Sequence, residues 1–177
     1  MQMPKKIKIN KKKGIIFWIE GFSGTGKSTL SKLIKNRISK IYGPTIILSG
    51  DVFRNFFDKN GYTKKDRTTN SHKFSDVLAY LSNQKINIIY SVVGLNYAAK
   101  RIYKKKLTNF LEIYIKADVY KIIKLKKKKT YRNKKNILGI HIKPDYPKKP
   151  NIIIENNFNK SLKSLSNELI DKIKKIV

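Results

Sequence analysis

The chain has 177 residues, with 41 Lys and Arg against 11 Asp and Glu, and a formal charge of +30. One ordinary domain fits that length, and 40% hydrophobic residues suffice for a buried core, which excludes a disordered tail or a mini-protein. The absence of cysteine and the presence of only His72 and His141 exclude disulfides, zinc ribbons, iron–sulfur clusters, thiol catalysis and a histidine-built metal site.

The segment Lys5–Lys13 reads as a disordered basic leader, too short and too interrupted by Lys for a secretory signal. No apolar run reaches the length of a membrane span, so a cytoplasmic protein is expected. The first strand is expected at Ile15–Ile19, followed by a helix over Lys27–Lys40 with Leu30, Leu33, Ile34 and Ile38 on one face. Gly43-Pro44 breaks that helix before a second strand, Thr45–Leu48. Residues 51–83 read as two helical pieces separated by a turn at Asn60-Gly61. Ile86–Val93 is apolar enough for a central strand. A helix over Tyr97–Leu107, a strand at Phe110–Ile115 and a helix over Asp118–Lys127 follow. Residues 128–149 form a polar loop with Gly139, Pro144 and Pro147, long enough to be functional or mobile. Ile152–Ile154 is the last strand and Leu162–Ile176 the last, amphipathic helix. Strands alternating with helices indicate a parallel sheet with crossover helices.

The charge has two readings. Only Arg37, Arg54, Arg67, Arg101 and Arg132 supply guanidinium groups; the other cations are Lys, in a chain also crowded with Ile and Asn. Lys, Ile and Asn are what A/T-rich codons encode, so much of the excess reads as drift on solvated faces. The other reading is a polyanion-binding surface, whose Lys side chains would release counterions from nucleic acid.

Gly21-Phe22-Ser23-Gly24-Thr25-Gly26-Lys27-Ser28-Thr29 satisfies G-x-x-x-x-G-K-[ST] after an expected strand and at the start of an expected helix. In such a P-loop, backbone N–H groups and the helix N-terminus cradle the phosphates of ATP. Lys27 would reach the β- and γ-phosphates, and the Ser28 hydroxyl would ligate Mg²⁺. The central strand runs into Gly94-Leu95-Asn96 without an acid, unlike an ATPase motor, and no N-K-x-D motif is present. Asp51 instead follows the second strand, with Arg54 three residues on. At the C-terminal edge of a doubly wound sheet it could take a proton from an attacking hydroxyl, hold a Mg²⁺-bound water, or simply cap its helix.

Here the sequence resembles the adenylylsulfate (APS) kinases, over about Gly14 to Asn156. Gly14 to Thr29, with Trp18 ahead of the loop, is similar to that family's opening. Ser49-Gly50-Asp51-Val52-Phe53-Arg54 is similar to its G-D-x-x-R segment, and Asp66-Arg67-Thr68-Thr69-Asn70 resembles its D-R-x-x-N segment. Leu138-Gly139-Ile140, with Pro147 and Pro150 before Ile152, resembles its close. The resemblance implies transfer of the ATP γ-phosphoryl group to the ribose 3′-hydroxyl of adenylylsulfate. Arg54 and Arg67 would clamp phosphate or sulfate oxygens, and Asn70, one helical turn beyond Arg67, would share their face. Tyr62 stands where the family stacks a Phe on adenine, and Tyr131 lies in the family's lid segment. Lys126–Lys129, Arg132, Lys134 and Lys135 read as a lid that closes over the phosphates or as a solvated loop. Phe53, Phe56 and Phe57 are expected to pack beneath the acceptor.

Three segments depart from the family. Its S-P-Y-R after the central strand aligns with Gly94-Leu95-Asn96-Tyr97, its lid segment is shorter here, and His141 replaces an Asp.

The expected fold is an α/β P-loop NTPase domain over residues 1–177, a three-layer α/β/α arrangement with a five-stranded parallel sheet of order 2-3-1-4-5. Residues 1–13 form its leader, and 126–149 its lid and loop. The expected function is an ATP- and Mg²⁺-dependent adenylylsulfate kinase, with Lys27 and Asp51 catalytic. The family suggests a homodimer. A diverged P-loop kinase with another hydroxyl acceptor is the first alternative, and a basic NTP-dependent nucleic-acid-binding protein the second.

Overall fold

Strand β1 (Ile16–Glu20) is buried along its whole length and sends alternate side chains to opposite faces of the sheet. Phe17 and Ile19 enter one apolar cluster, Ile16 and Trp18 another. In a computed structural model, which describes residues 6–57, 63–125 and 136–177, the other elements assemble around this strand. They are α1 (Lys27–Tyr42), β2 (Thr45–Ser49), α2 (Gly50–Phe56), α3 (Lys64–Asn83), β3 (Asn87–Val92) and α4 (Tyr97–Lys106). Then follow β4 (Phe110–Lys116), α5 (Val119–Lys124), β5 (Ile152–Glu155) and α6 (Leu162–Ile176).

The five strands are all parallel, in the order β2-β3-β1-β4-β5 expected from the sequence. Leu30, Ile34 and Ile38 of α1 and Leu165, Leu169 and Ile173 of α6 cover one face. Phe53 of α2, Phe74 and Leu78 of α3 and Tyr103 of α4 cover the other. There Trp18 lies 4.6 Å from the Tyr103 ring and 5.2 Å from those of Tyr90 and Phe110. The register pairs Glu20 with Val92 and Tyr114, and Ser49 with Ser91. The loops after β1, β2, β3 and β4 therefore open at one edge, where doubly wound sheets bind ligands.

Four expectations are corrected. The leader is not loose over its described part: the Ile7 N–H donates to the Ile176 carbonyl at 2.8 Å, and Ile7 and Ile9 pack against the core. Apolar residues at alternate positions anchor this basic stretch, and Asn109 binds the backbone of Asn10 and Lys13 through its amide. Phe56, the last residue of α2, is 70% exposed, whereas Phe53 is buried. Asp51 does not cap α2; Ser49 does, its Oγ accepting the Val52 N–H at 3.2 Å. Ile137 and Leu138, within the segment 126–149 read as a polar lid and loop, are buried, Leu138 in one cluster with Phe22 and Leu95. Among the described residues, no helix is long and apolar enough to cross a membrane.

Candidate active site

The phosphate loop is braced by its own hydrogen bonds. The Phe22 carbonyl accepts the Lys27 ammonium at 2.7 Å and the Thr25 hydroxyl at 3.0 Å. The Thr25 carbonyl in turn accepts the Asn156 amide at 3.1 Å, tying the loop to the segment after β5. Gly26 has φ 88° and precedes α1; a Cβ there would stand 2.7 Å from Leu162. Only glycine fits that left-handed turn against α6. Ser23, Gly24, Gly26, Lys27, Ser28 and Thr29 line the cleft at the sheet edge. Phe22 and Thr25 do not line it: Phe22 is a core residue, edge-on to Tyr146, and Thr25 is fully buried. Gly21 joins the loop to the residue just after β3 through its N–H to the Val93 carbonyl.

Asp51, Arg54 and Arg67 line the same cleft opposite the loop. Arg54 pairs with Asp51 one turn back on α2, with the carboxylate exposed and the guanidinium largely covered. Arg67 and Asn70 come from α3, whose start is set by a capping box. Asp66 accepts the Thr63 N–H at 2.9 Å, and the Thr63 hydroxyl accepts the Asp66 N–H at 3.1 Å. Asp66 of the D-R-x-x-N segment is thus occupied as a cap, and hydrogen bonds to its carboxylate from the Thr63 hydroxyl, at 2.6 Å, and from the Thr63 N–H hold it below the usual range. Arg54, Arg67 and Asn70 also line a second, adjoining cleft that runs to Phe74, Leu95, Asn96 and Leu138. The two arginines stand where the clefts meet. Tyr62, Tyr131 and the cations from Lys126 to Lys135 lie outside the described residues.

Behind the site lies a buried ion cluster that composition did not announce. The Lys100 ammonium of α4 donates to Glu20 at 2.6 Å and to Glu112 of β4 at 2.7 Å, and Lys104 donates to Glu112 at 2.6 Å. Trp18 Nε1 donates to the other Glu20 oxygen at 3.2 Å. Burial pushes the Glu20 carboxyl up to about 7, against the pull of Lys100. Burial also opposes ionisation of Glu112, but hydrogen bonds from Lys100 and Lys104 override it and hold its carboxyl low. Glu20 directly precedes the phosphate loop, so the cluster locks α4 to the strands that carry that loop. Spacing did not reveal it, because its members meet only through the sheet register.

The segment that departs from the family is well bonded. The Asn96 oxygen accepts the Ala99 N–H at 3.2 Å and caps α4. The Tyr97 N–H donates to Asp145 at 3.0 Å, and its hydroxyl donates to the Tyr146 carbonyl at 2.9 Å. His141 Nδ1 accepts the Ile137 N–H at 3.2 Å, closing the turn above Leu138.

Residues 13–155 match the family model for adenylylsulphate kinase. The chain belongs to the adenylylsulfate kinase family. It is an ATP-dependent phosphotransferase of that family. It is 26% identical over 163 residues to the cytidine diphosphoramidate kinase of Campylobacter jejuni, covering 89% of this chain and 95% of that one. It is 28% identical over 155 residues to the adenylyl-sulfate kinase of Clostridium acetobutylicum, covering 84% and 78%. The fold superposes with a TM-score of 0.79 on the Mycobacterium tuberculosis APS kinase solved with AMPPNP and APS. That match has 20% identity and covers 92% of this chain and 98% of that one.

Proposed function

We propose that this kinase transfers the γ-phosphoryl group of ATP to the ribose 3′-hydroxyl of a nucleotide whose 5′-phosphate carries a second group in anhydride linkage. Adenylylsulfate is the first candidate and 3′-phosphoadenylylsulfate its product. The observation that supports this reading is the placement of Arg54 and Arg67 at the junction of two clefts, one leading to Lys27 and Ser28. Planar guanidinium groups suit the paired oxygens of such an anhydride.

Within this reading, Lys27 holds the β- and γ-phosphates and neutralises charge as the phosphoryl group moves. Asp51, across the cleft, accepts the hydroxyl proton or orients the hydroxyl for in-line attack. Arg54 and Arg67 hold the acceptor's anion, and Asn70 fixes its orientation beside them. Mg²⁺, when bound, spreads the charge of the transferring phosphates. The Ser28 hydroxyl and the exposed Asp51 carboxylate are hard oxygen donors on facing walls, a set that fits Mg²⁺ completed by water and phosphate.

A second acceptor, cytidine diphosphoramidate, is favoured by Gly94-Leu95-Asn96-Tyr97, which replaces the S-P-Y-R of the adenylylsulfate kinases on the acceptor side. The relative named for that compound is also matched over nearly its full length. An ATP-consumption screen over adenylylsulfate, cytidine diphosphoramidate, nucleoside monophosphates and sugars tests the proposal. Selective turnover of one nucleotide anhydride supports it; turnover of a sugar alone overturns it.

A further inference from the structure

Asn96 carries the one buried side-chain polar atom without a hydrogen-bond partner among the described residues, its amide nitrogen Nδ2. Which end of the amide is nitrogen follows from its bonding. The Ala99 N–H at the start of α4 needs an acceptor, and Asn96 Oδ1 supplies it at 3.2 Å. The nitrogen is left for whatever occupies the cleft that Asn96 lines. A cap alone does not call for asparagine, since Ser161 and Ser49 cap α6 and α2 through a hydroxyl. Buried donors in folded proteins are almost always paired, so an orphan on a residue that lines a cleft marks a ligand contact.

The surroundings say which part of a ligand arrives there. Arg54 and Arg67, shared with the phosphate-loop cleft, bring positive charge to this cleft, and Leu95 and Leu138, which belong to one apolar cluster, line it with Asn96. A nucleotide anhydride with its charge on the arginines would present its ring to Leu95, Leu138 and the Asn96 amide. We infer that Asn96 is a specificity-determining residue, whose Nδ2 donates to a ring nitrogen or carbonyl oxygen of the acceptor's nucleobase. The inference rests on the nucleotide acceptor proposed above and adds how its base is read. A buried donor at this point rejects a base edge that presents only N–H groups to it, because the amide would stay unpaired.

The test is calorimetric binding to the full chain, with a non-hydrolysable ATP analogue filling the phosphate loop. The probes are adenylylsulfate, cytidine 5′-diphosphate and inorganic pyrophosphate, the last carrying charge but no base. Asn96→Ser keeps a capping oxygen and removes the amide. Asn96→Asp keeps shape and cap, and turns the donor into an acceptor. Both variants should weaken the nucleotide that the wild type binds by about tenfold or more. Pyrophosphate binding to Asn96→Ser should not change. Unchanged nucleotide affinity in both variants overturns the inference alone, as does an equal loss for pyrophosphate, which would assign the amide to the anion. If the wild type binds pyrophosphate but neither nucleotide, the nucleotide-acceptor reading itself fails and takes the inference with it.

Discussion

Gly94 passes so close over Glu20 that a Cβ at position 94 would stand 2.5 Å from the Glu20 carboxylate. Its φ of 69° is also a conformation that side chains disfavour. A side chain at position 94, such as the serine of the family's S-P-Y-R segment, therefore collides with the buried Glu20. Gly94→Ser should cost roughly 2 kcal/mol or more in urea unfolding. Combined with Glu20→Ala, it should cost less than the two single changes added, since the side chain it strikes is gone. Full additivity would show that the contact is not what excludes serine.

Lys100 holds two buried carboxylates, Glu20 and Glu112, and is itself buried. Lys100→Met leaves both acids without their shared cation, and should destabilise the fold by about 3–5 kcal/mol. Lys104 also reaches Glu112, but its side chain is 48% exposed and water can take its place. Lys104→Met should cost less than about 1 kcal/mol. Thermal or urea unfolding of the two variants side by side checks the contrast.

Glu20 also predicts a pH dependence. Its carboxyl binds a proton more tightly in the folded chain, at about 7, than at the ordinary value of 4.5. Between those values the folded state holds the extra proton, so this group's contribution to stability falls as pH rises and levels off above about 7. Lys100 and Trp18 Nε1 face the carboxylate and limit the loss. Glu112, held low by Lys100 and Lys104 against the cost of burial, acts in the opposite sense and below this window. Glu20→Gln should flatten the decline between pH 5 and 7, seen as a smaller stability difference between those two pH values. An identical slope in the variant would remove Glu20 as its source.

The difference between what the sequence disclosed and what it hid follows from range. Ile86 to Val93 reads as a strand because its apolar character is local, and β3 lies within it at Asn87–Val92. Gly26, Lys27 and Ser28 stand at the start of a helix after a strand because their motif carries its own turn geometry. Ile7 and Ile9 were masked by the lysines around them; their partners, including α6, lie at the far end of the chain. The Glu20–Lys100 pair spans 80 positions, and its existence depends on the register of β1 with its neighbours. Asn96 could be read only as a missing family residue. That its oxygen caps α4 while its nitrogen lacks a partner is a fact of packing.

Asp51 and Arg67 face one cleft but are assigned different work, and that separates their variants. Asp51→Asn keeps the size of the side chain and its place in the first turn of α2, but it cannot take a proton from a hydroxyl. It should lower kcat by about 10²-fold or more and leave the affinity for ATP nearly unchanged. Arg67→Ala removes a cation that grips the acceptor's anion, so it should raise the KM for the acceptor about tenfold or more with a smaller change in kcat. Lys27→Ala gives the reference for a failure on the donor side, losing turnover with every acceptor. Steady-state kinetics varying ATP and acceptor separately reads all three. If Asp51→Asn instead raises the KM for ATP and spares kcat, the carboxylate belongs to nucleotide binding. The proton would then have to leave by another route, because no other carboxylate lines that cleft among the described residues.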